Sequence, residues 1–331
     1  MPSVRVARVV PDVTGVDKIF DYLVPEALVE TVRVGVRVRV PLHGRNVAGW
    51  VVEIGEPSVG LEIKKIKSVI KVLGLGATAE IVDLAVWATK RWVGRMRSFI
   101  STAAPETLIN SVPSARYMPR AVQYASDTFD KIRDFGGGLI TVAPLTNLAP
   151  FISAVACDGP TIVVMPTQHR VKLLAAALRA NNFSVAQWPQ DWALAYGGVD
   201  VVIGTRSAVW APVEKFSNIV VVDEHDDLLQ EERSPTWHAR DVAIERSSRA
   251  GARCILLSPI ASLSARKWAG DRRVVDSQGQ WPEVLIVDRN IDEQWSRSLI
   301  SSELIAELRD KSRRVVCVLN SKGRARLTAC G

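Results

Sequence analysis

The stretch Ile219-Val220-Val221-Val222-Asp223-Glu224-His225-Asp226-Asp227 decides how this chain is read. Four uninterrupted apolar residues describe a strand covered on both faces, as in a parallel sheet. The acidic residues after it stand at the carboxyl end of that strand, where open α/β sheets bind ligands. An Asp-Glu pair delivered there has the Walker B arrangement, in which Asp223 holds Mg²⁺ and Glu224 orients the attacking water. On these residues alone the competing reading is an acidic loop that caps the next helix.

Outward from this stretch, similar apolar runs recur at residues 139–143, 161–165, 199–203, 254–257 and 284–287. Helical spacing over 171–180 separates two of them, which predicts βαβ units and an α/β fold. A final strand is expected at 315–319, after a helix over 302–311. A working P-loop would place G-x-x-x-x-G-K-[ST] after the first of these strands, so that backbone N–H groups wrap the phosphates. The chain instead has Pro144-Leu145-Thr146-Asn147-Leu148-Ala149-Pro150, and none of its 21 glycines is followed by lysine. Two prolines remove further N–H donors. Binding of ATP with Mg²⁺ is therefore not expected.

Three other loops fit the same sheet edge: Gly204-Thr205-Arg206-Ser207-Ala208, Ser258-Pro259-Ile260-Ala261-Ser262-Leu263 and Met165-Pro166-Thr167-Gln168. His225 is expected in a hydrogen-bonding role and His238 at the start of a helix, since neither has a metal-ligand partner at suitable spacing.

The first third has a different rhythm. Val4 and Val6, then Val34, Val36, Val38 and Val40, alternate with polar residues at the period of half-buried strands. Arg33, Arg37 and Arg39 fall on the opposite face, either as a solvated surface or as phosphate contacts. Apolar positions from Ile81 to Trp92 predict one amphipathic helix. The following residues to about 130 lose any period and read as a linker.

Residues 1–105 hold 15 Lys and Arg against 10 Asp and Glu, which is most of the net charge of +7. The first third is thus the expected polyanion contact. Four widely spaced cysteines exclude a disulfide framework. No apolar run approaches the roughly 20 residues of a membrane span, and no signal-peptide pattern opens the chain, so a cytoplasmic protein is expected.

The N-terminal motifs Pro11-Asp12-Val13, Asp17-Lys18-Ile19-Phe20-Asp21-Tyr22-Leu23-Val24-Pro25-Glu26, Val34-Gly35-Val36-Arg37-Val38-Arg39-Val40-Pro41 and Gly49-Trp50-Val51-Val52 resemble the PriA, or primosomal protein N-prime, family. The second part is similar at Ile203-Gly204-Thr205-Arg206-Ser207-Ala208, at the acidic box and at His238-Ala239-Arg240-Asp241. The resemblance implies a 3′-DNA-end-binding domain over 1–105, a linker over 106–130, a degenerate RecA-like helicase lobe over 131–285 and a connection toward a second lobe over 286–331. It implies that Phe20, Asp21 and Tyr22 help form a pocket for the terminal nucleotide of a nascent strand; from the basic first third, Arg37, Arg39 and Arg45 are expected as further DNA contacts. Without the resemblance, Phe20 and Tyr22 read as core and Asp21 as a turn cap.

The missing lysine loop, the sequence Asp-Glu-His-Asp-Asp and the sequence Ser258-Pro259-Ile260-Ala261 are similar to the actinobacterial branch, whose members lack intact helicase motifs. Relatives carry a zinc module, of which Cys330 stands at the first ligand position and the remaining cysteines are not in this chain. The expected function is replication restart: recognition of stalled or branched forks and nucleation of a primosome, with replisome proteins and a single-strand-binding protein as partners and no membrane. The alternative is a residual ATP-dependent 3′-to-5′ helicase or translocase.

Overall fold

The computed structural model describes residues 5–57, 62–119, 126–144, 146–275, 281–288 and 300–318. Strand alternation builds its N-terminal part. β1 (Val6–Pro11), β2 (Phe20–Leu23), β3 (Arg37–Leu42), β4 (Arg45–Gly55) and β5 (Lys71–Gly74) pair antiparallel in the order β2-β1-β4-β3-β5. Val36, Val38 and Val40 join Val9, Val51 and Tyr22 in a small core on one face. The expected row of three arginines is shortened, because Arg33 lies ahead of β3 in a turn. Gly35 makes that turn at φ +92°, and a Cβ there would stand 1.8 Å from the Ala77 carbonyl oxygen.

The other face is covered by α1 (Ala79–Trp92) and α2 (Met96–Ala103). Thr78 caps α1 by accepting a hydrogen bond from the Ile81 N–H, and Ile81, Leu84, Ala85 and Ala88 turn inward as the periodicity predicts. Val93 ends the helix in the left-handed region at φ +50°.

The second part is doubly wound. Its elements run α3 (Asp127–Arg133), β6 (Gly137–Thr141), α4 (Ala149–Cys157), β7 (Thr161–Val164), α5 (Gln168–Ala180), β8 (Val185–Gln187), α6 (Trp192–Gly197), β9 (Val201–Gly204), β10 (Asn218–Val222), α7 (Ala239–Ala250), β11 (Arg253–Ser258), α8 (Leu263–Ala269) and β12 (Arg273–Val275). Seven parallel strands lie in the order β12-β6-β11-β10-β7-β9-β8, a RecA-like α/β arrangement. α3 begins inside the segment expected to be a linker.

The period of two explains why both faces are filled. In β10, Ile219 and Val221 enter the core shared with α1, α2 and α7, whereas Val220 and Val222 enter the core under α3, α4 and α5. Each such side chain contributes about 1.5–3 kcal/mol on burial.

The antiparallel sheet's helices and the parallel sheet share the larger core, and a buried cation joins them. Arg246 donates to both Glu80 carboxylate oxygens, at 3.0 and 2.9 Å, and to the Val209 and Ala211 carbonyls at 2.6 and 2.9 Å. Trp192 Nε1 donates to the Ala103 carbonyl at 2.8 Å. Residues 1–280 accordingly form one compact unit.

Residues 281–331 form a second unit. Its described part contains α9 (Ser302–Arg309), capped by Ser301, whose hydroxyl accepts from the Leu304 N–H at 3.1 Å. The strands expected at 284–287 and 315–319 are corrected here, since residues 284–287 and 315–318 adopt no strand. Val284, Leu285, Ile286, Val316 and Val318 are exposed instead. An apolar run makes a strand only where a neighbour offers a ladder, and these runs have none among the described residues. In the described residues, no helix is long and apolar enough to cross a membrane.

Candidate nucleic-acid interface

β2 is the terminal strand of the antiparallel sheet, with Arg8 opposite Asp21 and Ala7 opposite Tyr22. Its far end is stitched to the segment after residue 62: the Leu23 N–H donates to the Lys67 carbonyl and the Val69 N–H to the Leu23 carbonyl, both at 2.9 Å. That stitch brings Lys65 and Lys67 beside the strand. The result is a cavity of about 450 Å³ lined by Lys18, Phe20, Asp21, Tyr22, His43, Lys65 and Lys67, among others.

Each side chain has a distinct place in this cavity. Tyr22 is buried and its hydroxyl donates to the Pro41 carbonyl at 3.1 Å, so it fixes the wall, and burial pushes its phenol pKa up. Phe20 is partly buried, with the Lys18 ammonium 5.8 Å from its ring centroid. The Asp21 side chain is 9% exposed and pairs with Arg8 Nε at 3.7 Å. Arg8 also pairs with Glu53, and hydrogen bonding to that carboxylate raises the Arg8 pKa. One carboxylate, one partly buried aromatic ring and three lysines thus meet at one opening. Lys18, Lys65, Lys67 and His43 were missed from the sequence, although the run Lys64-Lys65-Ile66-Lys67 was a visible basic signal.

The three arginines expected to contact DNA part company. Arg37 donates to Asp12 Oδ2 at 2.6 Å and lies 5.4 Å over the Trp50 ring, and Arg97 donates to the other Asp12 oxygen at 2.9 Å. Arg37 is committed to the fold. Arg39, opposite Ala48, and Arg45, at the start of β4, are exposed.

The acidic box lies at the carboxyl edge of the parallel sheet, beyond β10, as expected. Asp223 adopts φ +50° and is ion-paired with Arg170 in the first turn of α5. Glu224 is 0% exposed. One of its oxygens accepts from the Ser262 N–H at 2.7 Å; the other accepts from the Ser262 hydroxyl at 2.8 Å and Arg240 Nη1 at 3.0 Å. His225 Nδ1 lies 2.7 Å from the Ser258 hydroxyl. His238 caps α7 by accepting from the Arg240 N–H at 3.1 Å, and burial, aided by Arg240, lowers its pKa.

The loop after β6 turns its polar groups on itself. Thr146 donates to the Ala143 carbonyl at 2.6 Å, Asn147 accepts from the Ala149 N–H at 3.1 Å, and Pro150 has no N–H to offer. This edge does not fit a magnesium triphosphate: a guanidinium stands against the Asp223 carboxylate, the Glu224 carboxylate is sealed, and the loop carries no lysine to meet a phosphate. Gly204 ends β9, Thr205 follows, and Arg206 donates to Glu231 at 3.1 Å. Burial would raise the Glu231 pKa, but hydrogen bonds from the Arg233 N–H and Arg206 hold it below the ordinary carboxylate range.

Cys330 lies outside the described residues. Within them, no cluster of three or more His, Cys, Asp or Glu side chains could hold a metal. Cys157 and Cys254 are buried, and burial pushes the Cys254 thiol up to about 12.

A family model for the PriA 3′DNA-binding domain (3′BD) matches residues 8–105. The chain is 29% identical over 280 residues to the probable replication restart protein PriA of Mycobacterium tuberculosis (strain CDC 1551 / Oshkosh), covering 74% of this chain and 42% of the relative. It is 24% identical over 370 residues to replication restart protein PriA of Rickettsia conorii (strain ATCC VR-613 / Malish 7), covering 98% and 55%. Bacillus subtilis (strain 168) PriA is 30% identical over 143 residues, covering 40% and 18%. The chain thus spans about half the length, or less, of these curated relatives. Among solved structures, the C-terminal domain of the DEAD-box protein Dbp5 covers 42% of this chain and 88% of that one at 15% identity, with a TM-score of 0.29 too low to bear on function. The motif series, the domain match and the relatives agree: residues 8–105 match the PriA 3′DNA-binding domain, and the chain is similar to PriA replication restart proteins.

Proposed function

We propose that this chain recognises branched or stalled DNA forks in the cytoplasm by their nascent 3′ end, and acts in replication restart as a scaffold rather than a motor. The observation that carries this is the cavity at β2, where Asp21, Phe20 and the lysines converge. A free 3′-hydroxyl is a donor that a carboxylate can accept, the Phe20 face suits a base, and the ammonium groups suit the last phosphates. A continued or phosphorylated strand has no such donor.

The parallel sheet serves in this reading as a rigid platform, fused to the fork-binding part through Arg246 and the shared core. Primosome and replisome proteins, with a single-strand-binding protein among them, are its proposed partners. The acidic box does not turn over ATP, because its two carboxylates are engaged by Arg170 and by Arg240 with Ser262.

The test is Asp21→Ala, assayed by anisotropy on a fork with a free 3′ end and on plain duplex. Fork binding is expected to weaken by about tenfold, the worth of one hydrogen bond to a charged acceptor, while duplex binding is retained. Equal losses on both substrates would remove the pocket.

A further inference from the structure

A second cavity, of about 480 Å³, opens where α1 meets α7 and α8. Trp87 and Arg91 line it from α1, and Lys267 and Trp268 from α8, so the N-terminal part and the parallel-sheet part each supply one tryptophan and one cation. Both rings are half-buried and held from behind. Trp87 stands edge-on to Trp92 with centroids 5.0 Å apart, and the Arg272 guanidinium lies 4.8 Å from the Trp268 centroid.

The cleft is lined by two cations and two carboxylates, and it is the carboxylates that are held in ion pairs. Asp241 accepts from Arg240 at 3.1 Å, a cation it shares with Glu224, and Glu245 accepts from Arg249 at 2.7 Å. Arg91 and Lys267 form no ion pair among the described residues. The flanks add Lys90 and Arg95 against Asp83 on and beside α1, and Arg266, Arg272 and Arg273 against Asp271 beside α8, so the surface around the cleft is basic on balance. Aromatic rings set in a basic surface bind single-stranded nucleic acid, since every base has a face to stack and every nucleotide a phosphate to neutralise.

We infer that this cleft is a second DNA site, a stacking platform for unpaired single strand, separate from the 3′-end cavity. It rests on the reading that the chain binds forks, and it gives the parallel-sheet part a DNA contact of its own. Trp268 is the residue whose ring meets the base, and Arg91 and Lys267 meet the flanking phosphates.

The probe is an oligothymidylate bearing a 3′-phosphate, which offers the Asp21 cavity no terminal hydroxyl, titrated into the full chain at two salt concentrations. Trp268→Leu is expected to weaken binding about 5- to 100-fold, the range for one lost base stack, and Trp268→Phe to retain most of it. Arg91→Glu with Lys267→Glu is expected to weaken binding and flatten its salt dependence. Asp21→Ala is expected to leave this probe unaffected, so a failure of the 3′-end cavity shows only on hydroxyl-ended forks. Wild-type binding by both Trp268→Leu and the charge-reversed pair would overturn the site, as would equal losses in Trp268→Leu and Trp268→Phe. Should Trp268→Leu melt early, the two exposed charge reversals decide alone.

Discussion

Glu224→Gln separates a scaffold from a motor, because the two accounts assign the carboxylate opposite duties. In an NTPase the substitution removes the group that orients water and leaves the fold nearly untouched. Here Glu224 is 0% exposed, and its two oxygens take three hydrogen bonds, one from the charged Arg240. Glutamine keeps the shape but turns an NH₂ group toward donors and removes the charge that answers Arg240. Breaking one side of a buried pair costs about 3–5 kcal/mol. Arg240 keeps a second acceptor in Asp241 at 3.1 Å, so the lower end, about 3 kcal/mol, is expected. At about 2–4 °C per kcal/mol for a body of this size, the midpoint falls by about 6–12 °C. Thermal unfolding by circular dichroism measures this beside DNA-stimulated phosphate release. An unchanged midpoint with abolished phosphate release would refute the reasoning.

Other consequences follow from the same geometry. Arg246→Ala strips Glu80 of its bidentate partner and frees two buried carbonyls, and urea unfolding should show a loss of about 3 kcal/mol. Gly35→Ala sets a Cβ 1.8 Å from the Ala77 oxygen at φ +92°; fork binding and the midpoint should fall together, and a wild-type midpoint would contradict the turn. Burial lowers the His238 pKa below its usual 6.5, so the unfolded chain takes up the proton first. Stability is therefore full above about pH 6.5 and declines as pH falls toward the folded-state pKa, and His238→Asn, which keeps a capping acceptor, should reduce that slope.

Much of the fold was legible because burial leaves a period in the sequence. The alternating valines of β3 and the unbroken run of β10 each predicted their sheet. Short edge strands were not legible: β8 and β12, of three residues each, leave too little pattern. The opposite error arose at 284–287, where apolar residues without a partner were read as a strand. At the acidic box, sequence located Asp223 and Glu224 but not their captors. Arg170 lies 53 residues from Asp223, and Ser262 lies 38 from Glu224, so their meeting depends on which strands are neighbours. Arg37 shows a further limit, since alternation tells which face a side chain leaves but not that Asp12 and Trp50 wait there.

The most direct test of the account compares wild-type affinity for two forks that differ only at the nascent strand's terminus, one ending in a 3′-hydroxyl and the other in a 3′-phosphate. The account predicts that the hydroxyl-ended fork binds about tenfold more tightly, or more, as a donor to Asp21 is exchanged for a second anion. Equal affinity for both would contradict it.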